Sequence, residues 1–75
     1  MEAKFLQMLE EVLEISDRKL SLSDKFREYE EWDSLAFLSL IAVIDEEFDV
    51  IIEGRDFKKL FTNADIIEAI YERQS

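Results

Sequence analysis

The sequence predicts an all-α protein, a small four-helix bundle with three main helices, one short helix and a long loop between helices 1 and 2. Apolar residues recur every three or four positions in three separate stretches, which is the spacing of amphipathic helices. The chain has 75 residues with one Gly and no Pro. Because this length supports one small hydrophobic core, we expect residues 1–75 to form a single domain.

The first helix is predicted from Glu2 to about Ile15. Its apolar positions are Phe5, Leu6, Leu9, Val12 and Leu13, with acidic residues between them. Residues 17–33 have no sustained period and predict the long loop, with one short turn at 23–26. A connection this long is unusual in so small a domain, which suggests that it serves a purpose.

The second helix begins at Asp33 or Ser34 and runs to Phe48. Its core stripe is predicted to consist of Phe37, Leu40, Ile41, Ile44 and Phe48. Leu35, Leu38 and Ala42 fall to one side of that stripe. These three either pack in the core or form an apolar strip at the surface.

The rest of the chain predicts a loop, a short helical turn and a final helix. The β-branched residues 50–52 have no visible partner strand, and Gly54 predicts a turn, so Ile52 is interpreted as closing the bundle from a loop. A helical turn is expected at 56–60. Thr62 or Asn63 then caps the last helix, which carries Ile66, Ile67, Ile70 and Tyr71 and ends near Arg73.

Composition excludes several classes of function. The chain has 19 Asp and Glu, nine Lys and Arg, and a net charge of −10. Since it has no His and no Cys, an imidazole base, a thiolate nucleophile, an ordinary zinc site and a disulfide are excluded. The negative charge argues against nucleic acid and membrane surfaces as partners. No targeting segment is visible, and the apolar block 35–44 is shorter than the ~20 residues that span a bilayer, so we expect a soluble, cytoplasmic monomer.

The charge is concentrated in the middle of the chain. Nine acids and no base lie between Glu28 and Glu53, and the remaining residues carry a net charge of only −1. One interpretation is a solvated surface. The other is a docking face for a basic partner, whose approach long-range attraction would accelerate.

The residues around Ser34 point to a modifiable hydroxyl. Serine at a helix start most often caps the helix, but Asp33 is an equally good cap and would leave Ser34 free at the first helical position. Phe37 stands where the Glu or Gln of a capping box would be needed. A phosphate on Ser34 would meet unpaired amides and the positive end of the helix dipole.

These residues resemble the acyl carrier protein family. The resemblance rests on Asp33-Ser34-Leu35 at the helix start and on Asp45-Glu46-Glu47-Phe48 at its end. It continues through Ile51-Ile52, Asp56-Phe57-Lys58-Lys59, Thr62 and Ile66-Ile67. It covers residues 3–72, so the expected domain is acyl-carrier-like.

The resemblance implies a role for each matching residue. Ser34 would carry 4'-phosphopantetheine, which a phosphopantetheinyl transferase moves from coenzyme A to the serine through a phosphodiester bond, so the chain would be a phosphoprotein. Asp33 would help that enzyme to position magnesium and phosphates. Acyl or aminoacyl groups would be bound as thioesters to the thiol at the end of the arm, so the chain is expected to be a carrier rather than an enzyme. Loading and transferring enzymes with basic patches would bind Leu35, Leu38, Ser39, Ala42, Asp45 and Glu46.

Several residues depart from the fatty-acid carriers. Glu31 replaces a common Gly, Glu53 stands near a common Pro, and Ser39 and Ala42 replace an acid and a Met of the recognition face. A stand-alone carrier in a specialised pathway, such as one handling amino acids or polysaccharide decoration, fits these departures at least as well as a carrier of fatty acid metabolism. Trp32, beside the modified serine, is either a core residue or a partner contact.

Two other classes of protein remain as alternatives. One is an unmodified acidic helical adaptor or inhibitor that binds a basic partner protein. The net negative charge of the chain is compatible with this class. The other is an enzyme with paired carboxylates such as Asp45 and Asp49, which is disfavoured because both lie near a helix end in water with nothing nearby to bury them. A weak divalent-cation site among Asp45, Glu46, Glu47 and Asp49 is also compatible with the sequence.

Overall fold

Four helices follow one another in the order that the sequence predicts. The computed structural model describes residues 2–74. Its helices are α1 (Glu2–Leu13), α2 (Ser34–Phe48), α3 (Gly54–Phe57) and α4 (Asn63–Gln74), with a 3₁₀ turn at Phe26–Glu28 in the long loop. The described chain forms no strand, and only an isolated bridge joins Lys25 to Thr62. The all-α prediction is confirmed, while Met1 and Ser75 of the expected domain lie outside the described residues.

Helix α1 ends at Leu13, two residues before the predicted end at Ile15. Glu14 adopts a left-handed conformation with φ of 57°, which a right-handed helix cannot continue through. The Ile15 N–H then donates to the Glu10 carbonyl at 2.9 Å, which closes the helix end. Ile15 is nevertheless buried, so it belongs to the core without belonging to the helix.

Helix α1 packs against α2 and α4, and the core lies between them. In α2, Leu40 and Ile44 of the predicted stripe are fully buried. The other stripe residues, Phe37, Ile41 and Phe48, are half-buried against the same core. Ala36 is also buried, although the predicted stripe omits it.

The long loop is fastened to the start of α4. The Asn63 N–H donates to the Asp24 carbonyl and the Ala64 N–H donates to the Leu22 carbonyl, both at 3.0 Å. Leu20 is buried and Phe26 is completely so. The loop therefore contributes to the core and holds a fixed path towards α2.

A buried polar network strengthens that connection. The Tyr29 hydroxyl donates to Asp24 Oδ2 at 2.8 Å, and Asn63 Nδ2 donates to the Tyr29 oxygen at 2.9 Å and to the Ser21 carbonyl at 2.8 Å. Burial raises the pKa of Tyr29 to about 12, and donation to Asp24 adds to the effect, while the hydrogen bond from Asn63 opposes it. Tyr29 therefore stays neutral over the physiological range.

Helix α3 begins two residues earlier than predicted, at Gly54 instead of Asp56. Gly54 does not mark a separate turn, because it is the first helical residue of α3. Ile52 is 1% exposed, which confirms that it closes the bundle from the preceding loop. Phe57 is buried as well, so Ile52 and Phe57 fix the short helix from both ends.

Helix α4 begins with a reciprocal cap. The Asp65 N–H donates to Thr62 Oγ1 at 3.2 Å, and Asp65 Oδ2 accepts from the Thr62 N–H at 3.0 Å. Hydrogen bonds from the N–H groups of Thr62 and Phe61 hold the pKa of Asp65 below its usual value. Of the two predicted caps, Thr62 is therefore the one used, and Asn63 is the first helical residue. Ile66, Ile67 and Ile70 are buried, whereas Tyr71 is about half exposed.

None of the helices within residues 2–74 has the length and apolar character needed to span a bilayer.

Candidate functional site

The start of α2 is capped by Asp33 and not by Ser34. Asp33 has extended backbone angles, and its Oδ1 accepts a hydrogen bond from the Ala36 N–H at 2.7 Å. Its carbonyl accepts from the Phe37 N–H at 3.0 Å, the first bond of the helix. Both features define an N-cap, so the sequence alternative in which Asp33 takes this position is the correct one.

Ser34 is consequently the first helical residue, with an exposed side chain. Its hydroxyl makes no hydrogen bond to any residue of the described chain. The first amides of a helix have no partner within the helix, and together they give its N-terminus a partial positive charge. The donor set fits a phosphate ester on Ser34, because a free hydroxyl stands beside a positive helix end.

The predicted partner-binding residues of α2 share one face of the helix. Leu35 is 72% exposed and Leu38 is 61% exposed, which excludes core packing for both. Ala42, Asp45 and Glu46 are exposed too. Ser39 is half-buried and lines a hollow of about 150 Å³ between the end of α1 and the start of α2. We call these six residues the α2 face: Leu35, Leu38, Ser39, Ala42, Asp45 and Glu46.

The acidic end of this helix is open to solvent. Asp45 and Glu46 form no salt bridge with any residue that the structure describes, whereas Glu47 pairs with Lys4 at 3.9 Å. Asp49 caps the C-terminus in a left-handed conformation, and its N–H donates to the Asp45 carbonyl. Across residues 2–74 no cluster of carboxylates suitable for a metal ion is found, so the weak cation site has no support.

Trp32 belongs to an aromatic cluster at the junction of the long loop, α2 and α3. Its ring centroid lies 4.9 Å from that of Phe26 in an edge-to-face arrangement, and it stacks on Phe57 with an interplanar angle of 4°. Phe37 completes the cluster, 5.2 Å from Phe57 and 6.4 Å from Trp32. Trp32 is half-buried and so has a packing role, while contact with a partner stays a prediction.

The Glu31 departure has a structural counterpart. Glu31 accepts from Arg18 Nη2 at 2.9 Å, and Arg18 also pairs with Asp17. This hydrogen bond lowers the pKa of Glu31. The residue at the position that is often Gly in fatty-acid carriers is here Glu31, and its salt bridge with Arg18 joins the two ends of the long loop.

Sequence reasoning missed a groove beside the serine. Six residues line it, and we call it the Ser34 groove: Arg27, Trp32, Asp33, Ser34, Phe37 and Lys58. Its volume is about 380 Å³. The signal was present in the sequence as Lys58 and Arg27, but only the packing of α3 against the loop brings them to Ser34. Ile51, two residues past the α2 cap, is also exposed and was not predicted as a surface residue.

Comparison with known proteins agrees with this geometry. The family model described as the phosphopantetheine attachment site matches residues 3–70. No solved structure matches the chain. The matched span contains the capped start of α2, the α2 face and the aromatic cluster. The chain therefore belongs to the phosphopantetheine-attachment family, whose members are non-catalytic carrier domains that hold 4'-phosphopantetheine covalently.

Proposed function

We propose that Ser34 is the attachment point of 4'-phosphopantetheine and that the chain acts as a stand-alone, single-domain acyl carrier protein. The observation that carries this proposal is the free Ser34 hydroxyl at the start of a helix that Asp33 already caps. The family match supplies the cofactor, and the exposed serine supplies the nucleophile for the attachment.

Attachment replaces the phosphoanhydride bond of coenzyme A with a phosphodiester to serine. The Ser34 oxygen bonds to the phosphorus that carries the pantetheine group in coenzyme A. The bond from that phosphorus to the adenosine bisphosphate breaks, and the serine proton passes to a base of the transferase. On the carrier side, Ser34 would provide the nucleophile. Asp33 caps the helix start, and its carboxylate is the group that would help the transferase to hold its magnesium.

The α2 face is the proposed contact for the transferase and for loading enzymes. Leu35 and Leu38 supply exposed apolar area close to Ser34, and Asp45 and Glu46 supply unpaired negative charge. A small polar-rimmed contact with electrostatic attraction suits brief binding to several enzymes with basic patches. The cargo is proposed to be an acyl or aminoacyl group of a specialised pathway, in keeping with Ser39 and Ala42.

The experiment is the modification reaction with two matched serine variants. Wild type, Ser34→Ala and Ser16→Ala are each incubated with coenzyme A, magnesium and a broad-specificity phosphopantetheinyl transferase, and the intact masses are measured. Ser16 is the control because it is an exposed serine outside the α2 face. We expect wild type and Ser16→Ala to gain the arm and Ser34→Ala to stay unchanged. Wild type that stays bare while a control carrier is modified, or Ser34→Ala that is modified, would contradict the proposal. An unmodified adaptor predicts instead that Ser34→Ala keeps every function of the chain.

A further inference from the structure

The Ser34 groove places positive charge beside the hydroxyl that is proposed to be modified. Of the six residues that line it, Arg27 and Lys58 are basic. They stand out because the chain carries a net charge of −10 and has no base in residues 28–53. The cations at the start of α2 therefore come from the long loop and from the end of α3, and the fold brings them to Ser34.

The two cations differ in what they already bind. The Arg27 guanidinium donates to the carbonyls of Phe57 and Leu60, and its central carbon lies 4.6 Å from the centre of the Phe26 ring. The Lys58 side chain is exposed and has no hydrogen-bond or salt-bridge partner within residues 2–74. The Lys58 ammonium is therefore available to an anion, whereas Arg27 is held by the carrier itself.

An aromatic stack sets where Lys58 lies relative to Ser34. The ring centroids of Trp32 and Phe57 are 6.2 Å apart, and the ring planes differ by 4°. Phe57 directly precedes Lys58, and Trp32 lies two residues before Ser34. The Lys58 N–H also donates to the Gly54 carbonyl at 3.1 Å. The backbone at Lys58 is thus held beside the start of α2, and its long side chain can adjust to a ligand at Ser34.

The substrate that has to reach Ser34 is itself an anion. Coenzyme A carries a diphosphate and a further phosphate on its ribose, and a strongly negative chain repels it at long range. During transfer, negative charge spreads over the phosphorus oxygens that are not part of the bonds being made and broken. A cation beside the nucleophile offsets the repulsion and stabilises this charge.

We infer that Lys58 binds the reacting phosphate of coenzyme A while the arm is attached, so that the carrier contributes a cation to its own modification. The inference rests on the proposed attachment to Ser34. The Ser34 oxygen bonds to the phosphorus, the bond from that phosphorus to the adenosine bisphosphate breaks, and the serine proton passes to a base of the transferase. Lys58 keeps its proton throughout and pairs with a non-bridging oxygen of the same phosphorus. Trp32 and Phe57 act as positioning residues.

The first experiment measures the rate of transfer in a single turnover. Wild type, Lys58→Gln, Lys58→Arg and Lys59→Gln are mixed with coenzyme A, magnesium and an excess of a broad-specificity phosphopantetheinyl transferase, and the modified fraction is followed by intact mass. Lys59 is the matched control, because it neighbours Lys58, is exposed, and does not line the groove.

We expect Lys58→Gln to slow transfer about tenfold, less than the loss of an enclosed oxyanion donor because Lys58 is exposed. Lys58→Arg and Lys59→Gln should stay within about twofold of wild type, since the first keeps the positive charge and the second changes a residue outside the groove.

A second measurement separates a contact with the phosphate from a contact with the transferase. Ser34→Ala lacks the nucleophile, so its complex with transferase and coenzyme A does not react. The affinity of this chain for the transferase is measured with and without coenzyme A, and a residue that binds the coenzyme must couple the two affinities. We expect coenzyme A to raise the affinity of Ser34→Ala about two- to fivefold more than that of Ser34→Ala/Lys58→Gln.

The outcomes separate this inference from the attachment itself. Equal rates for wild type and Lys58→Gln, equal slowing by Lys58→Gln and Lys59→Gln, or a Lys58→Arg chain as slow as Lys58→Gln would overturn the inference. A loss of affinity that is the same with and without coenzyme A would overturn it too, because Lys58 would then contact the transferase. Wild type that gains no mass would instead contradict the attachment to Ser34.

Discussion

The Asp33 carboxylate accepts a hydrogen bond from the Ala36 N–H at 2.7 Å. Because Asp33 makes this capping contact, Ser34 is not needed to cap α2. One residue caps the helix, and the next is left with an exposed and unbonded hydroxyl. The same order of residues with Ser34 as the cap would have tied its oxygen to a backbone amide. The cap is therefore the local reason why Ser34 is free to be modified.

Replacement of Asp33 should separate its two tasks. Asp33→Ala removes the cap and should lower the free energy of unfolding by about 1 kcal/mol, whereas Asp33→Asn keeps a capping oxygen and should stay within about 0.5 kcal/mol of wild type. Urea unfolding followed by circular dichroism measures both. Modification by the transferase should slow in both variants, since both lack the carboxylate. An Asn variant as unstable as the Ala variant would refute the cap, and full-speed modification of both would refute the carboxylate's role.

Charge reversal on the α2 face should slow modification. Asp45→Lys/Glu46→Lys is expected to reduce the rate constant of modification at limiting transferase about tenfold at low salt, because it removes the attraction to a basic partner. The wild-type rate should also fall as salt rises, since exposed charges are screened.

The control for that prediction carries the same change in net charge elsewhere. Glu11→Lys/Glu68→Lys alters two exposed acids on α1 and α4 that lie outside the α2 face. It should retain most of the wild-type rate. Equal slowing by the two double variants would show that net charge matters and the α2 face does not.

The exposed leucines should affect partners more than stability. Leu35→Ala and Leu38→Ala remove side chains that are mostly in solvent, so the free energy of unfolding should change by less than about 0.5 kcal/mol. Leu40 is the control, because its side chain is completely buried. Leu40→Ala leaves a cavity in the core and should lower the free energy of unfolding by about 2–5 kcal/mol. If Leu35 is a central contact, its loss should slow modification at least about fivefold. Normal rates for both exposed variants would remove them from the docking contact.

Tyr29 should make the chain sensitive to alkali. Its folded pKa is raised to about 12, against about 10 in an unfolded chain. The folded state thus holds the proton more tightly, so the stabilisation is complete below pH ~10 and is lost as pH rises towards 12. Tyr29→Phe should be less stable at neutral pH by about 1–2 kcal/mol through lost hydrogen bonds. The difference from wild type should shrink above pH ~10 in urea unfolding, and a constant difference would contradict the raised pKa.

The helices were predictable because their apolar spacing is regular, but their ends depend on backbone angles that spacing does not specify. Glu14 ends α1 early because its backbone is left-handed, and Gly54 adopts the helical conformation as the first residue of α3. The choice between Thr62 and Asn63 as the cap of α4 was equally open. Asn63 is buried and donates to Tyr29 and Ser21 instead. These partners lie in the long loop, so they meet Asn63 only after the loop has folded against α4.

The candidate site divides in the same way. Ser34, Asp33 and the α2 face follow from local sequence, since they lie within one helix and its cap. The Ser34 groove does not, because Arg27 and Lys58 are far apart along the chain and meet through the contact of Arg27 with the Phe57 carbonyl. Trp32 was ambiguous in the sequence for the same reason, as its stacking partner Phe57 comes from α3.

The most direct measurement of the central claim is the covalent state of Ser34 in the chain isolated from its native host. The stretch without a base leaves residues 28–55 as one tryptic peptide, which contains Ser34 and Ser39. Tandem mass spectrometry should find 4'-phosphopantetheine on Ser34, with an acyl or aminoacyl group that neutral hydroxylamine releases from the thiol. A peptide with Ser34 bare in every preparation, or with the arm on Ser39, would contradict the account.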